Sequence, residues 1–162
     1  MSLSQLRLKE CLKYEPDTGN FYWIISKQGI SIGQKAGYTK KTGYNRIRVD
    51  GKIYQTSHLA FLYMTGSFPP NGYEVDHIDR NPSNDSWTNI RITNRSQNCW
   101  NKGPNPYNTS GVKGVRKIHN GRWKTTIVVY GKSIHLGYFD TLDEAAIIRR
   151  EAELKYYGKY AP

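Results

Sequence analysis

Along the first seventy residues, the spacing of apolar positions alternates between that of a helix and that of a strand, which predicts short helices and strands. Leu6, Leu8 and Leu12 give residues 4–13 an apolar helical side. Aromatic or alternating stretches predict strands, and an apolar run stopped by Gly66 predicts a second helix. In chain order, these further elements are residues 21–25, 43–49, 52–56 and 57–64.

The next stretch combines short strands with a polar helix. Residues 73–78 and 89–92 are expected as strands on either side of a polar, asparagine-rich loop, and residues 94–101 as a helix. A strand, a loop, a strand and a helix in this order can bring polar side chains from all four segments to one point.

The last fifty residues show a simpler pattern. Residues 112–118, 122–130 and 133–139 are expected as strands joined by tight turns, and Thr141 as the cap of a helix with acids in its first turn. The apolar stripe of that helix comprises Ala145, Ala146, Ile148, Ala152 and Tyr156. Three antiparallel strands with a helix across one face make a complete small unit.

A break rich in proline, glycine and asparagine separates these two patterns. Such residues at 102–108 continue neither a helix nor a central strand. The expected fold class is therefore α+β, with a first module at residues 1–103, a linker at 104–109 and a second module at 110–162. The functions of the two modules are expected to separate at this linker.

The charge balance favours a polyanionic partner. The chain of 162 residues has 24 Lys and Arg against 13 Asp and Glu, a formal net charge of +11. Residues 1–107 hold 14 basic and 8 acidic residues, and residues 108–162 hold 10 and 5. Both modules are therefore expected to face nucleic acid. The alternative is a basic surface that serves solubility alone.

Several classes of protein are excluded by composition. No apolar run approaches a membrane span, and the N-terminus has no apolar signal region, so we expect a cytoplasmic protein that is not secreted and has no membrane partner. The two cysteines, Cys11 and Cys99, are far apart, which excludes a disulfide scaffold and a four-cysteine zinc site.

Four polar residues suggest phosphodiester hydrolysis. Asp76 and His77 are adjacent, Asn89 follows 13 residues after Asp76, and Asn98 nine residues later. A neutral imidazole suits a general base for water, and carboxylate and amide oxygens suit Mg²⁺. From spacing alone, a structural Asp-His pair remains the alternative. An EF-hand is excluded, since Pro82 interrupts the loop and the required glycine and glutamate are missing.

A longer string of residues resembles the HNH nucleases of phages and mobile introns. The resemblance covers roughly residues 5–102. It is carried by His58-Leu59-Ala60-Phe61, Gly66-Ser67-Phe68-Pro69, Glu74-Val75-Asp76-His77-Ile78-Asp79-Arg80-Asn81-Pro82-Ser83-Asn84-Asp85, Thr88-Asn89-Ile90-Arg91 and Arg95-Ser96-Gln97-Asn98-Cys99-Trp100-Asn101-Lys102. It implies a ββα-metal active site with its core at about residues 73–102.

The resemblance also implies a role for each of the four residues. Asp76 and Asn98 would bind a divalent metal ion, with Mg²⁺ the expected ion and Mn²⁺ the alternative. His77 would be the general base, and Asn89 the catalytic-site residue that steadies it.

Some positions depart from the family pattern. Arg80 stands where the family usually has glycine, and Asp85 and Cys99 stand where it usually has asparagine. His58 lies too early for the core motif, so a packing role or a phosphate contact is expected for it.

The strands of the second module carry polar and basic residues at roughly every second position. This pattern favours a sheet with one face on the helix and the other on DNA, with an ordinary solvated face as the alternative. The expected DNA-binding residues are Arg116, Lys117, Arg122, Trp123, Lys124, Thr126 and His135.

A second string, over about residues 110–160, resembles an AP2 DNA-binding domain. It comprises Ser110-Gly111-Val112-Lys113-Gly114-Val115-Arg116, Gly121-Arg122-Trp123, Leu136-Gly137-Tyr138-Phe139, Asp140-Thr141 and Glu144-Ala145-Ala146. The resemblance implies DNA contacts through Arg116, Arg122, Trp123 and Lys124. Val128 and His135 depart from the family, so its base preference does not carry over.

Together these features predict a metal-dependent, site-preferring endonuclease of the HNH homing type with an AP2 targeting domain. Its expected partner is double-stranded DNA, in the cytoplasm of a bacterial or phage-infected cell, and its oligomeric state is open between monomer and homodimer. A DNA-binding regulator with an inactive nuclease half is the alternative. An RNA-binding basic protein fits the charge but explains neither string.

Overall fold

The computed structural model describes residues 3–27 and 29–161, and the chain divides into two compact units, residues 1–94 and 95–162. Both units mix short helices with small antiparallel sheets, which confirms a mixed α and β architecture. No helix in the described ranges is both long and apolar enough to cross a membrane.

Within residues 3–27 and 29–94, the first unit contains two α-helices and seven short strands. Its helices are α1 (Gln5–Cys11) and α2 (Thr56–Thr65). Its strands are β1 (Leu12–Glu15), β2 (Asn20–Trp23), β3 (Tyr38–Thr39), β4 (Asn45–Val49), β5 (Lys52–Gln55), β6 (Tyr73–His77) and β7 (Ile90–Asn94). They form a β1–β2 hairpin, a three-stranded sheet in the order β3–β4–β5, and a β6–β7 pair, all antiparallel.

One hydrophobic core holds these elements together. Its fully buried side chains include Leu8, Leu12, Phe21, Ile47, Leu59 and Leu62. Leu8 and Cys11 are three residues apart on α1 and share its buried face, whereas Leu6 is 73% exposed, because a helix turns about 200° over two residues. Leu12, expected on the same helix, is the first residue of β1. Gly66 ends α2 as predicted, in the left-handed conformation with φ 88°, and its N–H bonds the carbonyl of Leu62.

The second unit begins with helix α3 (Arg95–Asn101). A three-stranded antiparallel sheet follows, made of β8 (Val115–Lys117), β9 (Trp123–Val129) and β10 (Lys132–Phe139), with β9 in the middle. Helix α4 (Leu142–Tyr157) packs on this sheet, and Thr141 and Glu144 form a capping box at its start.

The division between the units precedes the segment expected as a linker. It falls between Asn94 and Arg95, so residues 102–109 lie inside the second unit. The physical reason is Trp100 on α3, which is 5% exposed and packs with Ile127, Ala152 and Tyr157. The division of labour at residues 103–107 remains a prediction.

Candidate active site

The β6–β7 pair places the adjacent Asp76 and His77 at the end of a strand. In its register, Asp76 faces Arg91 and His77 faces Ile90. Both side chains are buried, with 8% and 5% exposed. Buried polar groups need partners, so the contacts of these two side chains define the site.

Asp76 is paired with a cation from the facing strand. The Nε of Arg91 donates to Oδ2 of Asp76 over 3.0 Å, and little of either side chain is exposed. Arg91 thereby offsets part of the cost of burying the carboxylate.

His77 is held by the carboxylate of Asp85, one of the departures from the family pattern and not among the predicted site residues. Its Nε2 lies 2.8 Å from Oδ1 of Asp85, which is 2% exposed. Because an ionised carboxylate can only accept, Nε2 donates, and the neutral ring then carries its lone pair on Nδ1. Nδ1 is therefore the nitrogen that can take a proton.

Asp85 is itself fixed from several sides. Its second oxygen, Oδ2, accepts from Nδ2 of Asn45 over 3.0 Å, and its carbonyl accepts from the hydroxyl of Tyr14 over 2.7 Å. Burial raises the pKa of that tyrosine, so the hydroxyl remains a donor. Gly19 lies so close that a Cβ there would come within 2.3 Å of the Asp85 carbonyl carbon. The β1–β2 hairpin thus supports the site.

Asn89 closes the loop that carries Asp85. Its side-chain Nδ2 donates to Oδ1 of Asp79 over 2.9 Å and to the carbonyl of Asn84 over 2.8 Å. Its backbone carbonyl accepts from the N–H of Ile78. Partial burial alone would raise the pKa of Asp79, but bonds from Asn84, the Asn81 N–H and Asn89 hold it below its usual value. Asn89 therefore orders the backbone next to His77.

The backbone of Arg80 explains why the family usually has glycine at this position. It adopts a left-handed backbone with φ 63°, and its N–H donates to the carbonyl of His77 over 3.0 Å. Glycine adopts this conformation without the steric cost of a Cβ. The position therefore favours the glycine that the family usually has.

His58 on α2 stands in the electrostatic neighbourhood of the site. Burial lowers its pKa, against the opposing charges of Glu74 and Asp85, and His77 adds to the lowering. A ring kept neutral offers no cation to a phosphate, which favours the packing role for His58.

Asn98 lies on α3, half-buried, in the second unit. Among the described residues, no three His, Cys, Asp or Glu side chains group as a metal site. The carboxylate of Asp76 and the amide of Asn98 each offer a hard oxygen donor, the kind that Mg²⁺ binds together with water and phosphate oxygens.

The second unit presents four of the seven predicted DNA-binding residues on one face of its sheet. Val115, Thr125 and Ile127 are at most 1% exposed and face inward, so alternation turns their neighbours outward. Arg116 pairs with Lys124 and Thr126 with His135 in the register. The outward set is Arg116, Lys124, Thr126 and His135.

The other three predicted residues lie elsewhere. Lys117 on β8 faces Trp123 on β9, and both belong to the inward-facing set at the end of the sheet. The ammonium of Lys117 lies 5.7 Å from the Trp123 ring centroid. Arg122 precedes β9, where its Nε donates to Oδ1 of Asp140 over 2.8 Å and its Nη2 to the carbonyl of Tyr138.

Tyr138 belongs to the outer face but was not predicted there. It pairs with Lys124, is 46% exposed, and its ring centroid lies 4.6 Å from that of His135. Simple alternation puts residues three apart on opposite faces, but a register shift between His135 and Gly137 reverses the alternation. Gly137, with φ 143°, is the signal that marks such a bulge.

Comparison with known proteins identifies the family. The family model described as HNH endonuclease matches residues 54–99. Protein 3.8 of Escherichia phage T7 is 37% identical over 94 residues, which cover 57% of this chain and 76% of that protein. An uncharacterized HNH endonuclease of Acanthamoeba polyphaga mimivirus is 29% identical over 143 residues, which cover 88% of this chain and 74% of that protein. The chain belongs to the HNH endonuclease family and is a DNA endonuclease.

The chain is also similar to a solved structure of the HNH homing endonuclease I-HmuI, which describes DNA binding and cleavage by that enzyme. It is 27% identical with a TM-score of 0.42, and the match covers 55% of this chain and 49% of that one. The AP2 resemblance of residues 110–160 stays a prediction.

Proposed function

We propose that this endonuclease hydrolyses phosphodiester bonds in double-stranded DNA, with His77 as general base and a divalent metal ion as cofactor. The observation that carries the proposal is the buried bond between His77 Nε2 and Asp85 Oδ1, directly beside the buried Asp76. A buried imidazole held by a carboxylate at the end of a strand is a costly arrangement that packing does not require.

The contacts of each residue support the role that we propose for it. Asp85 orients the ring and keeps the proton on Nε2, and Nδ1 takes a proton from the attacking water. Asn89 fixes the loop next to the base and acts as a positioning residue. Arg91 bonds Asp76 and so lies beside the proposed reacting centre. Its positive charge would attract the phosphate of the substrate.

Asp76 and Asn98 would hold the metal ion, which we propose to be Mg²⁺, with Mn²⁺ able to replace it. When bound, such an ion stabilises the negative charge that develops on the scissile phosphate and the leaving oxygen. The hard oxygen donors of both residues support this choice.

The second unit would supply DNA affinity and site preference, as an AP2-like targeting module of a homing-type enzyme. Supporting this proposal, the outer face of its sheet displays Arg116, Lys124, Thr126, His135 and Tyr138. Such a face can enter the major groove, where arginine reads guanine with two bonds. Since both relatives above are viral, we place this activity in the cytoplasm of an infected cell.

Incubation with supercoiled plasmid tests the proposal. Nicked or linear product is expected with Mg²⁺ or Mn²⁺, and none with excess chelator. Asp76→Ala should abolish the metal-dependent cutting, while Asp143→Ala, at an exposed position in the first turn of α4, should not. Cutting by the Asp76→Ala protein at the wild-type rate would contradict the metal assignment.

A further inference from the structure

Helix α3 is too short to be stable by itself. It has seven residues, no acid in its first turn and two buried side chains, Trp100 and Asn101. Isolated helices of fewer than about 12 residues are marginal in water, because nucleation is costly. The conformation of α3 must therefore come from residues that pack against it.

An aromatic cluster supplies the packing. The ring of Trp100 stacks on Tyr157, with centroids 4.5 Å apart and planes 8° apart, and Tyr130 meets it edge-on at 5.1 Å. Both tyrosines belong to the second unit. Aromatic pairs in such arrangements add stability beyond the area that they bury.

Lys113 caps the end of the helix. Its ammonium donates to the carbonyls of Cys99 at 2.6 Å, Trp100 at 3.2 Å and Lys102 at 2.7 Å. The last carbonyls of a helix lack partners within it and carry partial negative charge, so an ammonium with three donors fits this position. Burial lowers the pKa of Lys113, and the positive charge of Arg149 lowers it further.

The backbone of Lys113 is itself fixed. The Nε of Arg149 donates to its carbonyl over 2.6 Å, and Arg149 forms a buried ion pair with Glu153 at 3.0 Å. At Gly114, a Cβ would come within 2.3 Å of the carbonyl oxygen of Thr126. Helix α4 and strand β9 thus position the capping lysine.

We infer that Lys113 is a positioning residue for the nuclease site, because it holds the helix that carries Asn98. The inference rests on the proposed metal role of Asn98, which lies two residues before Trp100. The second unit then serves catalysis as well as DNA binding, and cannot be detached as a targeting module alone.

The test compares two full-length variants that each lose one positive charge. Lys113→Met keeps the aliphatic stem without the donors, and Lys132→Met, at an exposed position on β10, is the matched control. Three quantities are measured: amide hydrogen exchange of residues 95–102, Mn²⁺ affinity by electron paramagnetic resonance, and the cleavage rate.

Relative to the control, Lys113→Met should exchange about tenfold faster in α3, bind Mn²⁺ about tenfold more weakly and cut at least tenfold more slowly, as charge-assisted bonds are lost. Lys113→Arg should recover most of each effect. Should Lys113→Met lose the fold of the second unit by near-ultraviolet circular dichroism, Lys113→Gln provides the same comparison.

Two outcomes would overturn the inference: unchanged exchange in α3, or faster exchange with Mn²⁺ affinity and cleavage equal to the control. Failure of the proposed function has a different signature, in which the wild-type protein itself neither binds Mn²⁺ nor requires a metal to cut. In that case the exchange data would still report the capping role of Lys113, but its link to catalysis would be refuted.

Discussion

The loop between β6 and β7 and the sheet of the second unit are both rich in polar side chains, but they use them in opposite ways. There, Asp85 of the loop and His77 at the end of β6 are buried and bonded to each other. On the sheet, Arg116 and His135 are exposed, and the strand register sets their positions. Chemistry requires fixed geometry, whereas phosphate and base contacts require access to solvent.

Substitutions in these two regions should therefore separate cleavage from DNA binding. A change in the buried network should alter rate at constant affinity. A change on the exposed face should alter affinity and its salt dependence at constant rate. Helix α3 is the exception, because it carries a proposed site residue but is folded by the second unit.

Truncation of the second unit should reduce cleavage more than any other change. A chain ending at Lys102 lacks Lys113 and Tyr157, so α3 loses its cap and its stacking partner. We expect no detectable plasmid cleavage from it. A chain nicked within residues 103–107 but keeping both pieces is the control and should still cut. Cutting by the truncated chain within tenfold of the full-length rate would show that the first module is self-sufficient, as the linker composition suggested.

Asp85→Asn should have the next largest effect. Nδ2 of Asn45 donates to the Ser83 carbonyl as well as to residue 85, so its orientation is fixed and it needs an acceptor at residue 85. The introduced asparagine would therefore turn its oxygen towards Asn45 and its nitrogen towards His77. The ring then takes the wrong tautomer, and we expect cleavage to fall by about 10² or more, with unchanged DNA affinity.

The double variant Asn45→Asp with Asp85→Asn is the matched test of this reasoning. The exchange of the two groups returns an acceptor to His77 Nε2, and part of the lost rate should come back. Equal rates for Asp85→Asn and wild type in single-turnover assays would show that the tautomer is not controlled by residue 85.

Substitutions on the sheet should act on binding alone. Arg116→Ala and Lys124→Ala should each weaken DNA binding and reduce the slope of log affinity against log salt by about 0.9 if they contact one phosphate. Lys155→Ala, exposed on α4, is the control and should leave the slope unchanged. Titrations at several salt concentrations measure this, and identical slopes in all three variants would place the DNA elsewhere.

The smallest effect is expected at Arg80. Arg80→Gly removes the strain of a left-handed residue and should raise the free energy of unfolding by about 1 kcal/mol, as measured in urea. Cleavage should change by less than threefold, because the backbone bond to His77 is kept. A loss of stability instead would indicate that the side chain of Arg80 contributes contacts that outweigh the strain.

Local patterns predicted the elements of the second unit and the placement of Asp76 and His77 at the end of a strand. Alternation and turn residues are local signals, so they suffice for strands such as β9 and for the cap at Thr141. They could not reveal the partner of His77, because Asp85 is brought to it by a loop pinned to Tyr14 and Gly19, more than sixty residues earlier.

The same limit applies to α3, whereas Tyr138 was missed for a local reason. The composition of residues 102–108 indicated a linker, but the packing of Trp100 on Tyr157 is a long-range contact that no local pattern contains. Tyr138 was missed because a bulge of one residue inverted the alternation. For α3, long-range packing overrides a locally correct pattern, whereas for Tyr138 a local signal, Gly137, marked the bulge.

The central claim is that His77 is the general base of this endonuclease, and His77→Ala tests it most directly. His119→Ala, in an exposed turn of the second unit, is the matched control. Single-turnover cleavage and DNA affinity are measured on the same duplex. We predict a rate lower by about 10² to 10⁴ for His77→Ala at unchanged affinity, and a control equal to wild type. A His77→Ala protein that cuts within threefold of wild type would contradict the account.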